Sequence, residues 1–157
     1  MVQAIKNFYQ SLIGVGFRLQ SLILLGIRVY WGYLFYQAGW GKLGNIGGVA
    51  DFFGSFGIPF PEFNAYLVGY VEAIGGLCLL FGVASRLAAI PLIVTMVVAL
   101  LTAHWEAVAG VFQDHKEFVN QAPFNFLMAS LIVFAFGPGK FAIDTLLEKL
   151  FKGGKKK

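Results

Sequence analysis

The sequence predicts an all-α integral membrane protein: a bundle of four membrane-spanning helices with flanking amphipathic interfacial helices. Three observations predict it. Only 13% of the 157 residues are charged and 58% are hydrophobic, whereas a soluble domain carries about 25% charged residues. So few charges cannot cover a water-facing surface, so lipid has to take the place of the missing water. Four apolar stretches approach the ~20 residues that a spanning helix needs, and Lys and Arg collect in segments that fall on one side of such a bundle. Seventeen phenylalanines suit an outward face that stays apolar.

Residues 1–21 form an N-terminal interfacial segment. Between Ala4 and Leu19, the apolar Ile5, Phe8, Leu12, Ile13, Val15 and Phe17 mix with Lys6, Asn7, Gln10 and Arg18. Phe8, Leu12 and Val15 share a helical face, the pattern of a helix lying in the membrane surface, although Gly14 and Gly16 weaken a helix there. The opening MVQAIKNFYQ is too polar for the apolar region of a signal peptide. Residues 22–138 hold the four spans: Leu22–Leu43, Asn64–Gly82, Leu87–Trp105 and Pro123–Gly137, the last being the shortest and extending back through Val119. The stretch GVADFFGSFGIPFPEF between the first two is too apolar for a free loop and too short to cross. It is expected to dip into the headgroup region and cap the bundle. Residues 139–157 follow the Gly137–Gly139 turn with a second surface helix, Phe141 to Lys152, whose Ile143, Leu146, Leu147, Leu150 and Phe151 form one stripe. A basic tail of Lys149, Lys152, Lys155, Lys156 and Lys157 completes the chain.

Charge sets the expected orientation. Lys6, Arg18, Arg86, Lys140 and the lysine tail fall on one side of four spans, and Asp51, Glu62, Glu106, Asp114 and Glu117 on the other. Cytoplasmic segments are enriched in Lys and Arg, so both termini are expected in the cytoplasm of a cell whose inner membrane holds the protein. The net charge of +4 is concentrated in the tail. Such a tail attracts anionic lipid headgroups, and with no basic face elsewhere nucleic acid is not an expected partner. The single Cys78 cannot form an internal disulfide or a paired-thiol redox centre.

Two ionisable residues lie inside spans, where a charge costs roughly 2.5–3.5 kcal/mol or more. By helix rise, Arg28 lies about 9 Å and Glu72 about 15 Å from the cytoplasmic end, an offset that a guanidinium can cross. An Arg28–Glu72 ion pair facing the interior is therefore expected, either fixing helix register or lining a ligand pocket. Towards the outer ends gather Tyr36, Gln37, Trp40 and Lys42 of the first span, Asn64 of the second, His104 of the third and Asn125 of the fourth. A ring of this composition is the usual interfacial anchor; equally, it can form the mouth of a pocket for the head of an amphipathic ligand such as a quinone, which needs hydrogen-bond donors and aromatic walls. His104, Glu106, Asp114 and His115 match no zinc spacing, and no metal site is expected. Gly75 and Gly76, with Ala73 and Gly82, let the second span approach its neighbours closely.

Taken in order, IRVYWGYLFYQAGWGKL with Arg28, Gly39 and Lys42, EAIGGLCLLFGVASR with Glu72, Gly75, Gly76 and Arg86, the MVVALLTAHW ending in His104, and GPGKFAID with Asp144 resemble the DoxX family of small bacterial and archaeal membrane proteins, from about Leu22 to Asp144. The resemblance implies four transmembrane helices and a link to respiratory or sulfur redox chemistry: some relatives are subunits of a thiosulfate:quinone oxidoreductase, and others assemble with oxidative-stress enzymes. Relatives often carry a Glu at the start of the fourth span, where this chain reads QAPFNF. A more distant likeness to the vitamin K epoxide reductase bundle brings no thiol chemistry, because CxxC is absent.

Three readings follow. The first is a quinone- or lipid-binding accessory subunit of a membrane-associated oxidoreductase, with a bound quinone as its non-covalent cofactor and a redox enzyme subunit as partner. The second is a scaffold recruiting soluble partners, and the third a small transporter or lipid-handling protein, for which a homo-oligomer would build the path.

Overall fold

The computed structural model describes residues 2–153, so Lys155, Lys156 and Lys157 of the basic tail lie outside the described residues. Among the described residues every element is helical: α1 (Val2–Leu43), α2 (Ile46–Ser55), α3 (Pro61–Phe81), α4 (Ser85–Leu101), α5 (Trp105–Ala109), α6 (His115–Asn120), α7 (Ala122–Phe136) and α8 (Ile143–Gly153). Four of them pack in a ring, α1 on α3, α3 on α4, α4 on α7 and α7 back on α1, while α2 lies along α3. Phe35, Leu79, Ala89, Leu92, Met96 and Val133 form the buried centre.

The surface segment and the first span expected from the sequence are one helix. α1 has 42 residues and is about 63 Å long, twice the ~30 Å of hydrocarbon in a bilayer. Gly14 and Gly16 do not interrupt it, since an interior glycine costs only about 1 kcal/mol against a cooperative run of backbone bonds. Residues 6–19 are exposed on all sides. Two other limits move inward. α4 ends at Leu101, short of Trp105, and α7 begins at Ala122 because Gln121 is extended (ψ 125°) ahead of Pro123 in the first turn. Val119 belongs to the separate α6.

α1 and α3 are long and apolar enough to cross a membrane, and α4 and α7 are shorter apolar helices beside them. Only 17% of the apolar window of α1 and 39% of that of α3 is buried within the fold; the core helix of a soluble protein would be mostly hidden. Tyr30, Ile74, Leu87, Val94, Leu131 and Phe134 face outward, an apolar exterior of the kind that lipid covers.

Candidate functional site

Close backbone contact between α1 and α3 sets the geometry of everything else. A Cβ on Gly39 would lie 2.3 Å from the Ala73 nitrogen and 2.6 Å from the Gly69 carbonyl oxygen, and one on Gly76 would lie 2.5 Å from the Tyr36 nitrogen and 2.7 Å from the Gly32 carbonyl oxygen. Only glycine permits this approach. The two antiparallel helices are thereby locked in one register, with residue 39 opposite 69–73 and residue 32 opposite 76–80. Gly75 points the other way: a Cβ there would meet the Leu92 side chain at 2.9 Å, so α4 closes onto α3 at this level.

In this register the partner of Glu72 is Lys42, whose Nζ donates to Glu72 Oε2. Side chains on a helix lean towards its N-terminus. Lys42 therefore leans down into the ring from the end of α1, and Glu72 leans up to meet it from α3. Glu72 is buried and Lys42 is half-buried. Above them lies a cavity of about 460 Å³. Phe35, Ala38 and Lys42 share one face of α1 and form its floor with Glu72, Phe52, Phe53 and Phe56 of α2 cover it, and residues of α4 and the turn after it, with Phe126, line the far side. The segment expected to cap the bundle is thus a helix that roofs this cavity. The walls are overwhelmingly apolar. Asn64, Thr95 and Thr102 also line the cavity but spend their donors on carbonyls of their own segments. Among the described residues Glu72 Oε1 accepts no hydrogen bond, and it is not sealed off either. An ammonium has three donors, of which Lys42 spends one on Glu72.

The expected Arg28–Glu72 pair does not form. Arg28, only 1% exposed, donates through Nε to Leu79 O (3.1 Å), through Nη2 to Phe141 O (3.0 Å) and through Nη1 to Pro138 O. The depth estimate from sequence placed it too near Glu72. The glycine register instead sets Arg28 beside the last turn of α3, where carbonyls point out of the helix and a cation is favoured. Gly82 ends that helix with φ +71°, and a Cβ there would collide with Ala142 and the Arg28 guanidinium. Asp144, whose charge partly offsets that of Arg28, accepts from the backbone nitrogens of Ala84 (2.7 Å) and Ser85 (3.1 Å) and so caps α4. Arg86 reaches the Ala135 carbonyl (3.4 Å) at the end of α7. Arg28, Arg86 and Asp144 therefore form a knot that ties the ends of α3, α4 and α7 to the start of α8.

The cluster expected near the outer ends divides. Lys42 and His104 line the cavity, whereas Tyr36, Gln37, Trp40 and Asn125 do not. Tyr36 stacks on Trp40 along the opposite face of α1, and Gln37 donates to the Tyr33 hydroxyl (2.9 Å) on the outside. Asn125 bonds to Val119 O and Gln121 O and ties α6 to α7. Common depth did not mean common direction. Phe35 and Phe126, in edge contact at 4.4 Å, and the α2 aromatics are wall residues that sequence reasoning missed. Helical spacing from Lys42 back through Ala38 to Phe35 was the available signal.

The DoxX family profile matches residues 23–105, which hold Arg28, the glycine contacts, Lys42, Glu72 and His104. The chain is 30% identical over 140 residues to a Bacillus subtilis protein named "Putative oxidoreductase CatD", covering 88% of this chain and 94% of that one. It is 33% identical over 139 residues to the inner membrane protein YqjF of Escherichia coli, covering 84% and 97%, and 32% identical over 103 residues to the membrane protein Rv3486 of Mycobacterium tuberculosis, covering 62% and 63%. No solved structure matches. On the family match and these relatives, this all-helical membrane protein belongs to the DoxX family.

Proposed function

We propose that the protein binds the head of a quinone in the cavity above Lys42 and Glu72 and serves a membrane-associated oxidoreductase as its quinone-binding subunit. The observation that carries this is a buried ion pair with unused hydrogen-bonding capacity facing an apolar, aromatic space. The pair has no net charge, which favours an uncharged head. Its remaining N–H groups suit a carbonyl oxygen, and Glu72 Oε1 suits a hydroxyl donor, so the two groups serve the oxidised and reduced forms of such a ring. Phe35 and Phe126 offer aromatic edges to its plane. A bound quinone would supply two-electron carriage, while the residues here hold and orient it. The name of the B. subtilis relative supports the oxidoreductase part.

The same reading places α1, α3, α4 and α7 across the inner membrane, with α8 and the N-terminal part of α1 on the cytoplasmic side. The location in the name of the E. coli relative agrees with it. Single cysteines at Gly57 and Lys140 in a Cys78→Ser background, labelled from each face of sealed vesicles, test that orientation.

The binding test is extraction. Protein purified in mild detergent should carry quinone detectable by mass spectrometry, and Lys42→Met and Glu72→Gln should each lower its occupancy at least fivefold. Wild-type protein that neither retains quinone nor binds it when added would overturn the proposal. A scaffold role has one observation in its favour, the exposed stretch 6–19 of α1. It predicts that deleting those residues abolishes partner recovery while leaving quinone content unchanged.

A further inference from the structure

The cavity is closed on some sides and has exposed lining residues on two others, Phe52 and Phe56 of α2 at the headgroup end and a set between α3 and α4. Phe126 meets Phe35 and Trp31 at ring distances of 4.4 and 5.1 Å, which closes the α1–α7 side. α3 and α4 touch at Gly75 and Leu92. About half a turn to two turns further towards α2, residues of both helices line the cavity: Leu67 on α3 and Val94 and Val98 on α4. All three are also outward-facing, at 47%, 56% and 46% exposure. Leu67 is six residues into α3, and Val94 and Val98 are seven and three residues from the end of α4, so the opening spans about 5–11 Å along the helices from the α2 end. On an apolar exterior that is hydrocarbon depth, not water. The residues at the opening are uncharged, and Lys42 and Glu72 line the same cavity.

We propose that this gap is a lateral portal: the ligand enters from the bilayer between α3 and α4, and its apolar tail stays threaded past Leu67, Val94 and Val98 into lipid while its head reaches Lys42 and Glu72. The inference rests on the quinone-head reading of the cavity and adds a ligand class and a route. The ligand is a long-tailed lipid, not a small water-soluble ring, and the tail contacts are part of its recognition. A membrane portal also removes the need to desolvate the tail, because it never leaves hydrocarbon.

The test uses the full-length protein in lipid nanodiscs with two probes: a tail-less naphthoquinone and the same ring with a polyisoprenyl tail. In wild type the tailed probe should bind at least tenfold more tightly. Val94→Trp with Val98→Trp fills the gap and should cost the tailed probe tenfold or more, while moving the tail-less one by less than threefold. Ile74→Trp, a tryptophan on the outward face of α3 away from the cavity, should leave both unchanged. A tailed probe with a diazirine at the first tail unit should label peptides containing Leu67 or Val94–Val98. Equal affinity for both probes, equal losses in the portal and control variants, or labelling confined to α1 and α7 would each overturn the portal. If the tail-less ring binds with its dependence on Lys42 intact, those results leave the cavity reading standing. Failure of both probes to bind wild type would remove that reading and the portal with it.

Discussion

Two cations lie on the same face of α1, fourteen residues apart and so about 21 Å along the axis, and they do opposite things. At one end each of the three nitrogens of Arg28 donates to a backbone carbonyl, from two segments in all, and Arg28 does not line the cavity. At the other end Lys42 gives one bond to a carboxylate and faces open apolar space. A buried charge is thus no functional pointer in itself; what matters is whether its hydrogen-bonding capacity is used up by the fold. A guanidinium whose three nitrogens all hold the backbone is a staple, and an ion pair with unused donors beside a cavity is the candidate site.

That contrast breaks most visibly at Arg28. Arg28→Met leaves three carbonyls without their donor, each charge-assisted bond being worth about 1.5–3 kcal/mol. The melting temperature in detergent should fall by about 10 °C or more, with Arg28→Lys recovering only part, since one ammonium cannot reproduce the fork. Quinone bound per folded molecule should not change. A selective loss of ligand with normal melting would mean that Arg28 belongs to the site. Gly76→Ala comes next. Its methyl group would press on the α1 backbone, and overpacking of this kind costs about 1–3 kcal/mol. Both melting temperature and quinone content should drop, because the same contact sets the register that brings Lys42 to Glu72. The smallest stability effect is expected from Lys42→Met combined with Glu72→Leu. Replacing a buried ion pair by apolar residues is often neutral, so melting should stay within about 3 °C while ligand is lost. If the double variant melts as low as Arg28→Met, the ion pair is structural and the comparison fails.

Much of the fold could be read from residue types. The four apolar runs, the Gly137–Gly139 turn and the isolated charges at Arg28, Lys42, Glu72 and Asp144 were all legible, because hydrocarbon makes every charge and every helix breaker conspicuous. The partners were not. Assigning Arg28 to Glu72 depended on guessed span ends, and a few residues of error there shift a side chain by a full turn. Gly32 and Gly39 on α1 and Gly76 and Gly69 on α3 carried the correct register, but reading it requires knowing that Gly32 faces Gly76 and Gly39 faces Gly69. Likewise Tyr36, Gln37 and Trp40 are at the right level for a pocket and on the wrong side of α1.

Composition and hydropathy alone decide that this chain forms helices in lipid, since a solvent without hydrogen bonds leaves the backbone no other local solution. Which charge meets which, and where a cavity remains, was decided only by tertiary packing: glycine contacts of a few ångströms set the register of α1 against α3, and that distance is a property of two surfaces together, not of either sequence segment.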